Sequence, residues 1–181
     1  MTDPAAVLEV SRTESRAPTA GPAVPTWRLM LAHPAHWIAF GCGSGLLRPA
    51  PGTWGTLAAW FAFVTLDPFL STGAWLAVIV VAAGAGAWAA ERTGRAVGRA
   101  DHGAIVIDEI VAFWIVLLFL PPSVLAQALG FLAFRLFDIL KPPPIRAVDR
   151  RFKTGIGVMA DDLIAAFYAL LLAAVAVRVL G

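Results

Sequence analysis

The sequence predicts an all-α integral membrane bundle of about five helices with a cytosol-facing polar cap, and three observations lead there. Hydrophobic residues fill 59% of the 181 positions and charged residues only 14%, whereas an ordinary soluble domain is about 25% charged. Mean hydropathy is +0.77. Charge is also unevenly placed: uncharged runs cover 49–66, 68–90, 110–134 and 163–177, close to or beyond the ~20 apolar residues that a spanning helix needs.

Length allows one domain. The formal net charge of +2 is too small to argue for nucleic acid. A lone cysteine, Cys42, excludes an internal disulfide and any multi-cysteine metal site. Residues 1–26 mix Pro, Ala, Thr and Ser with Asp3, Glu9, Arg12, Glu14 and Arg16, without an apolar core of the signal-peptide kind. They are expected to form a disordered cytosolic tail ahead of a membrane-embedded domain at 27–181.

In chain order, an interfacial segment is expected near 29–40. Helices follow at about 55–69, 72–98, 108–120, 123–140 and 161–179. Pro121-Pro122 splits the run 110–134 into two helices around a tight turn. The last helix reaches spanning length by continuing through Arg178, whose long side chain can snorkel to the interface. Ala82, Gly86, Ala90, Gly94 and Gly98 recur every four residues and form a face that permits close backbone approach. Asp162, Ala165, Ala166, Ala169 and Ala173 form a second face, and this one begins with a carboxylate.

Topology follows from the polar segments. Gly41–Thr56, Glu91–Glu109 and Arg135–Asp162 are separated by hydrophobic hairpins, so all three belong on one side. Nine of the fourteen Lys and Arg residues fall in the second and third of them, which the positive-inside rule assigns to the cytoplasm. The resulting cap holds Asp101, Asp108, Glu109, Asp138, Asp149, Asp161 and Asp162. Helix capping explains part of this, because Asp108-Glu109 and Asp161-Asp162 begin expected helices. It does not explain Asp138 at a helix C-terminus, where a carboxylate is unfavourable unless paired or bound to a cation. A hard cation such as Mg²⁺ takes a few carboxylates plus substrate phosphate. Arg135, Lys141, Arg146 and Arg150 lie nearby to bind phosphate oxygens. The segment GCGSGLLRPAPGTWGT (41–56) is a second phosphate-site candidate, its glycines free to turn amides toward an anion and Ser44 and Thr53 adding hydroxyls.

Three blocks, GSGLLRPAPGTWGTLAA (43–59), DHGAIVIDEIVAFW (101–114) and FRLFDILKPPPIRAVDRRFKTGIGVMADDLIA (134–165), resemble the phosphatidylglycerophosphatase A family. The resemblance implies an all-α membrane enzyme of the bacterial inner membrane that depends on Mg²⁺. It implies hydrolysis of phosphatidylglycerophosphate to phosphatidylglycerol and phosphate in phospholipid biosynthesis. The family's polar positions fall on Thr53, Asp101, His102, Asp108, Glu109, Arg135, Asp138, Lys141, Arg146, Asp149, Arg150, Asp161 and Asp162. Ala112 and Ala166 stand where the family often has Gly, and Val158 where it usually has Ile.

The expected chemistry is metal-assisted hydrolysis. His102, Asp108, Glu109, Asp138 and Asp149 are the expected catalytic residues. Thr53, Arg135, Lys141, Arg146 and Arg150 are expected at the phosphate, and Glu109, Asp138, Asp161 and Asp162 at the metal. His102 would protonate the leaving alcohol. The phospholipid substrate would stay in the bilayer, tails between helices and phosphate at headgroup depth, and no obligate protein partner is implied. Cys42–Arg48 also fits C-x-x-G-x-x-R, the loop of cysteine-dependent phosphatases, but Gly41 and Pro49 replace that motif's usual His and Ser or Thr. A CDP-lipid phosphotransferase lacks its signature here, and a transporter would need ionisable residues at mid-membrane depth.

Overall fold

The computed structural model describes residues 22–146 and 155–180. Among them there is no strand, and the fold is all-α. Two short helices come first, α1 (Trp27–Ala32) and α2 (Pro34–Ala39), followed by a 3₁₀ segment at Gly41–Leu46. The longer helices are α3 (Pro51–Leu66), α4 (Thr72–Val97), α5 (Ile107–Phe119), α6 (Val124–Leu140) and α7 (Gly155–Leu180).

Local chemistry sets most boundaries. Thr26, Ser71 and Ser123 accept a backbone N–H at the starts of α1, α4 and α6, each at 3.2 Å. His33 ends α1 and caps α2, its Nδ1 accepting from Ala35 N at 3.0 Å. Gly98 closes α4 in the left-handed region at φ 72°, where glycine carries no Cβ penalty.

Two expected boundaries are corrected. α3 begins at Pro51 instead of 55, because proline's fixed φ suits the first helical position. α7 begins at Gly155 instead of 161, which makes Asp161 and Asp162 its seventh and eighth residues. They sit in the second and third turns, so N-terminal capping does not account for them. Of the expected disordered tail, residues 1–21 lie outside the described residues. The stretch 22–26 is held against the end of α4, with Ala23 N–H donating to Ala96 O at 2.9 Å.

α5 is the axis of the bundle. It packs against α3, α4, α6 and α7, and α7 in turn packs against α4 and α6. Its sequence is apolar on nearly every side, and Val106, Val111, Ala112, Phe113 and Val116 are all fully buried. Gly86 brings α4 close to α5, and Ala165, Ala166 and Ala169 keep α7 tight against its neighbours. Away from the cap, polar groups are paired across helices. Trp60 Nε1 donates to Gln127 Oε1 at 2.8 Å, and Trp114 Nε1 to Ala59 O at 3.0 Å.

The outer faces are apolar. Phe61, Val80, Val81, Leu125, Leu132 and Phe167 are exposed. α4 and the part of α7 from Gly155 to Ala176 are long and apolar enough to cross a membrane. Only 28% and 39% of their most apolar stretches are buried inside the bundle, so neither is simply a core helix. At one end, Gly52 faces Glu109 and Arg135, and Gly155 N–H reaches Glu91. The three polar segments therefore meet there, while the 66–72 and 120–123 turns lie at the other end.

Gly84 and Gly86 separate propensity from packing on one helix. A Cβ at Gly84 meets nothing within 4 Å, whereas one at Gly86 would lie 2.8 Å from Ile107 Cγ1. Gly84→Ala should hold or raise the melting temperature in detergent. Gly86→Ala should lower it, by overpacking worth about 1–3 kcal/mol. Equal melting temperatures for the two variants would show that the α4–α5 contact yields freely.

Candidate active site

The first turn of α5 carries Asp108 and Glu109, and α7 passes beside it with Asp162. One carboxylate oxygen from each of these three residues lies within 4.8 Å of the others. From α6, Arg135 Nη1 reaches Asp138 Oδ2 at 2.5 Å and Glu109 Oε1 at 3.4 Å. Asp138 also faces Asp162. One turn on, Lys141 pairs with Asp161. The site is thus assembled from helix ends and turns of α5, α6 and α7, and no single stretch of sequence contains it.

Its charge balance is unusual. Among the described residues, Asp108, Glu109, Asp138 and Asp162 face one guanidinium, a formal −3 when all are ionised, beside the Lys141–Asp161 pair. Asp108 and Asp162 are 7% and 4% exposed, and among the described residues neither forms an ion pair. Burying uncompensated charge is costly. Two buried polar atoms also lack a partner among the described residues, the acceptor Glu109 Oε2 and the donor Arg135 Nε. Buried polar groups are normally satisfied, so these two mark places where something else completes the site. Three carboxylates from two helices form an all-oxygen donor set of the kind that holds a hard divalent cation.

This trio differs from the metal set expected from sequence. Asp108 joins Glu109 and Asp162, while Asp138 is engaged by Arg135 and Asp161 by Lys141. Thr53 is half-buried in the first turn of α3, beside Gly52. Arg146 is exposed, with Nη2 3.5 Å from Leu140 O at the end of α6. Asp149 and Arg150 lie outside the described residues.

Two contributors escape a reading of the sequence. A Cβ on Gly52 would stand 2.0 Å from Glu109 Oε1 and 2.9 Å from Arg135 Nη2; glycine there makes room for the ion pair. Glu91 Oε2 accepts from Gly155 N–H at 2.7 Å, and a Cβ on Gly155 would stand 2.0 Å from Ala87 O. Glu91 thus anchors the start of α7 flush on α4, which fixes the height at which Asp162 meets Asp108. The available signal was a carboxylate placed late in an otherwise apolar helix.

Part of the glycine segment is folded in on itself. Gly43 and Gly45 both donate to Phe40 O, at 2.9 and 3.0 Å, and Leu47 donates to Ser44 O at 3.1 Å. These three amides are spent internally, and several of the glycines serve close packing. Gly45 abuts the Ala104 carbonyl and Gly55 abuts Val106. Cys42 is exposed, yet its sulfur rests against enough protein to push the thiol up, the wrong direction for a thiolate nucleophile.

His102 stands apart from the carboxylates. With Arg48 it lines a cleft of about 450 Å³ between the 45–51 and 102–104 loops. Its Nδ1 accepts from Ala104 N at 3.1 Å, which places the neutral ring's proton on Nε2. Burial, then Arg99 and Arg48, hold its pKa below the ordinary value, with Asp101 opposing.

Residues 37–177 match the family described as Phosphatidylglycerophosphatase A. A Haemophilus influenzae protein named Phosphatidylglycerophosphatase A is 41% identical over 148 residues, which cover 81% of this chain and 91% of that one. The Escherichia coli protein of the same name is 40% identical over 139 residues, 76% of this chain and 80% of its own. A Bacteroides thetaiotaomicron protein, provisionally named a phosphatidylinositol-3-phosphatase, is 41% identical over 155 residues, 80% of this chain and 94% of its own. No solved structure matches the chain.

The His102 ring should titrate below 6.5 by NMR, with the Nε2–H tautomer at neutral pH. Because folding lowers its pKa, the folded protein binds fewer protons than the unfolded chain in the window below 6.5. Stability from this residue is therefore complete above that pH and declines as pH falls through the window. Titration at or above 6.5 would overturn the lowered pKa.

Proposed function

Because the chain belongs to the phosphatidylglycerophosphatase A family, we propose that it is a Mg²⁺-dependent lipid phosphatase that hydrolyses phosphatidylglycerophosphate to phosphatidylglycerol and phosphate. One observation carries the reading: Asp108, Glu109 and Asp162 converge within 4.8 Å in a buried, net-anionic site. The residues fit a hard divalent cation, since Glu109 Oε2 is buried without a partner and every donor of the trio is a carboxylate oxygen. Asp108, Glu109 and Asp162 would hold it. When bound, such a cation supplies positive charge and Lewis acidity toward phosphoryl oxygens.

The chain's own residues do the rest. Arg135 is braced by Glu109 and Asp138 and keeps Nε–H unspent, so it binds a phosphoryl oxygen as charge builds there. Lys141, set by its pairing with Asp161 at the end of α6, adds positive charge at the rim. In the reaction, water oxygen forms a new bond to phosphorus and the bond from phosphorus to the glycerol oxygen breaks. Asp138, a carboxylate of the site outside the trio, is assigned the proton from water and passes it to the released alkoxide, so that no net proton is taken up or lost. The Bacteroides thetaiotaomicron relative's name points to another lipid phosphomonoester, so the shared substrate class is a phosphomonoester on a lipid headgroup.

The apolar outer faces and the two long apolar helices support a multi-pass protein of the bacterial inner membrane. The clustering of nine of fourteen basic residues in two cap segments supports an active site on the cytoplasmic side.

EDTA should abolish phosphate release from phosphatidylglycerophosphate by the purified protein in detergent, and Mg²⁺ should restore it. Asp162→Asn should lose at least about 10²-fold in turnover, near 3 kcal/mol, while Cys42→Ser stays within a few-fold. Full activity in excess chelator, or the reverse ranking of the variants, would overturn the reading. In the Cys42→Ser background, Arg99→Cys should label with impermeant reagent only from the cytoplasmic side, and Pro122→Cys only from outside. Labelling of both from one side would refute the topology.

A further inference from the structure

Beyond the phosphate site, the outer half of the bundle holds a groove of about 610 Å³ between α6 and α7, lined almost wholly by apolar atoms. Its floor comes from small residues of both helices, Gly130, Ala133, Ala169 and Ala173, and leucines such as Leu136 and Leu172 line it beside them. Small side chains on two facing helices normally let backbones close together. Here Gly130 and Ala169 are buried in close packing, and the trough opens beside them along Ala133, Ala173 and exposed leucines that turn outward with the rest of the apolar perimeter.

The same two helices build the site. On α6, Leu136 is the sequence neighbour of Arg135 and lies half a turn from Asp138. On α7, Ala169 follows Asp162 by seven residues, about 10 Å along the axis at 1.5 Å per residue. The trough therefore starts at a depth comparable to the reach of a glycerol-linked phosphate headgroup and runs away from the cap toward Leu120 and Pro121. We propose that this groove is the subsite for one acyl chain of the substrate lipid, which positions the headgroup phosphate over the carboxylates. The proposal rests on the lipid-phosphatase reading. Inside a bilayer the chain gains little by leaving other acyl chains; what the groove supplies is orientation of the reacting group.

Ala133→Phe and Ala173→Phe fill the trough from opposite sides. On long-chain phosphatidylglycerophosphate in mixed micelles, each should lower kcat/KM at least about tenfold, since misplacing a reacting centre by ~1 Å can cost up to ~10²-fold. On the dihexanoyl substrate, whose chains are too short to follow the groove, each should retain wild-type rates, which also shows that the variant folds. Equal losses on both substrates, or no loss on either, would overturn the groove. Absence of phosphate release by wild-type protein from either substrate would instead overturn the lipid-phosphatase reading. A measurement on wild-type protein guards against misfolding of the variants, using phosphatidylglycerophosphate with a photoreactive group mid-chain. Crosslinks should concentrate on 129–136 and 169–176 and be competed by unlabelled phosphatidylglycerophosphate but not by phosphatidylcholine. Uniform, uncompeted labelling around the bundle would mean that only bulk lipid fills the groove.

Discussion

Among the described residues, four carboxylates converge on one guanidinium at the end of an apolar bundle, and much of the cap is arranged to hold that imbalance in place. Like charges withdrawn from water repel strongly, so the helices that carry them must be fixed by other contacts. α5 supplies Asp108 and Glu109 and is clamped on every side. α7 supplies Asp162, and its first residue is tied to α4 through Glu91. α6 supplies Arg135 and Asp138 as an i, i+3 pair, the spacing that puts both on one helix face. The apolar core thereby fixes groups that would separate if left alone. Such preorganisation is what electrostatic catalysis requires.

The glycines of the cap serve that arrangement in a way that differs from a phosphate-binding loop. At Gly52 any side chain would displace Glu109 or Arg135, and at Gly45 it would meet the Ala104 carbonyl. With the amides of Gly43, Gly45 and Leu47 bonded to Phe40 and Ser44, fewer are left to meet an anion. Positive charge at the site comes from Arg135, with Lys141 close by, and the open space around Arg48 and His102 belongs to a neighbouring cleft.

Helix number, the break at Pro121-Pro122 and the gathering of three polar segments at one end were legible from hydropathy and charge spacing. Candidate site residues were easy to nominate, because acids and bases are scarce in this chain. Partnerships were not legible. Asp161 and Asp162 are adjacent in sequence, yet one turns to Lys141 and the other to Asp108 and Glu109. Neighbouring residues on a helix diverge by about 100°, and only the docking of α7 on α5 and α6 decides which carboxylate meets which group. The start of α7 was missed for a related reason. Gly155 and Gly157 discourage a helical assignment in isolation, whereas close approach to Ala87 demands the first of them.

The apolar perimeter also determines what substrate concentration means for this molecule. Residues such as Phe61, Val80 and Phe167 turn outward on three different helices; for a membrane lipid phosphatase of the kind proposed, the solvent would be hydrocarbon and encounters with lipid would take place in two dimensions. Molarity in the test tube is then the wrong scale. Saturation follows the mole fraction of substrate within the lipid or micelle phase, and adding inert detergent at fixed molarity dilutes the reaction as surely as adding water dilutes one in solution.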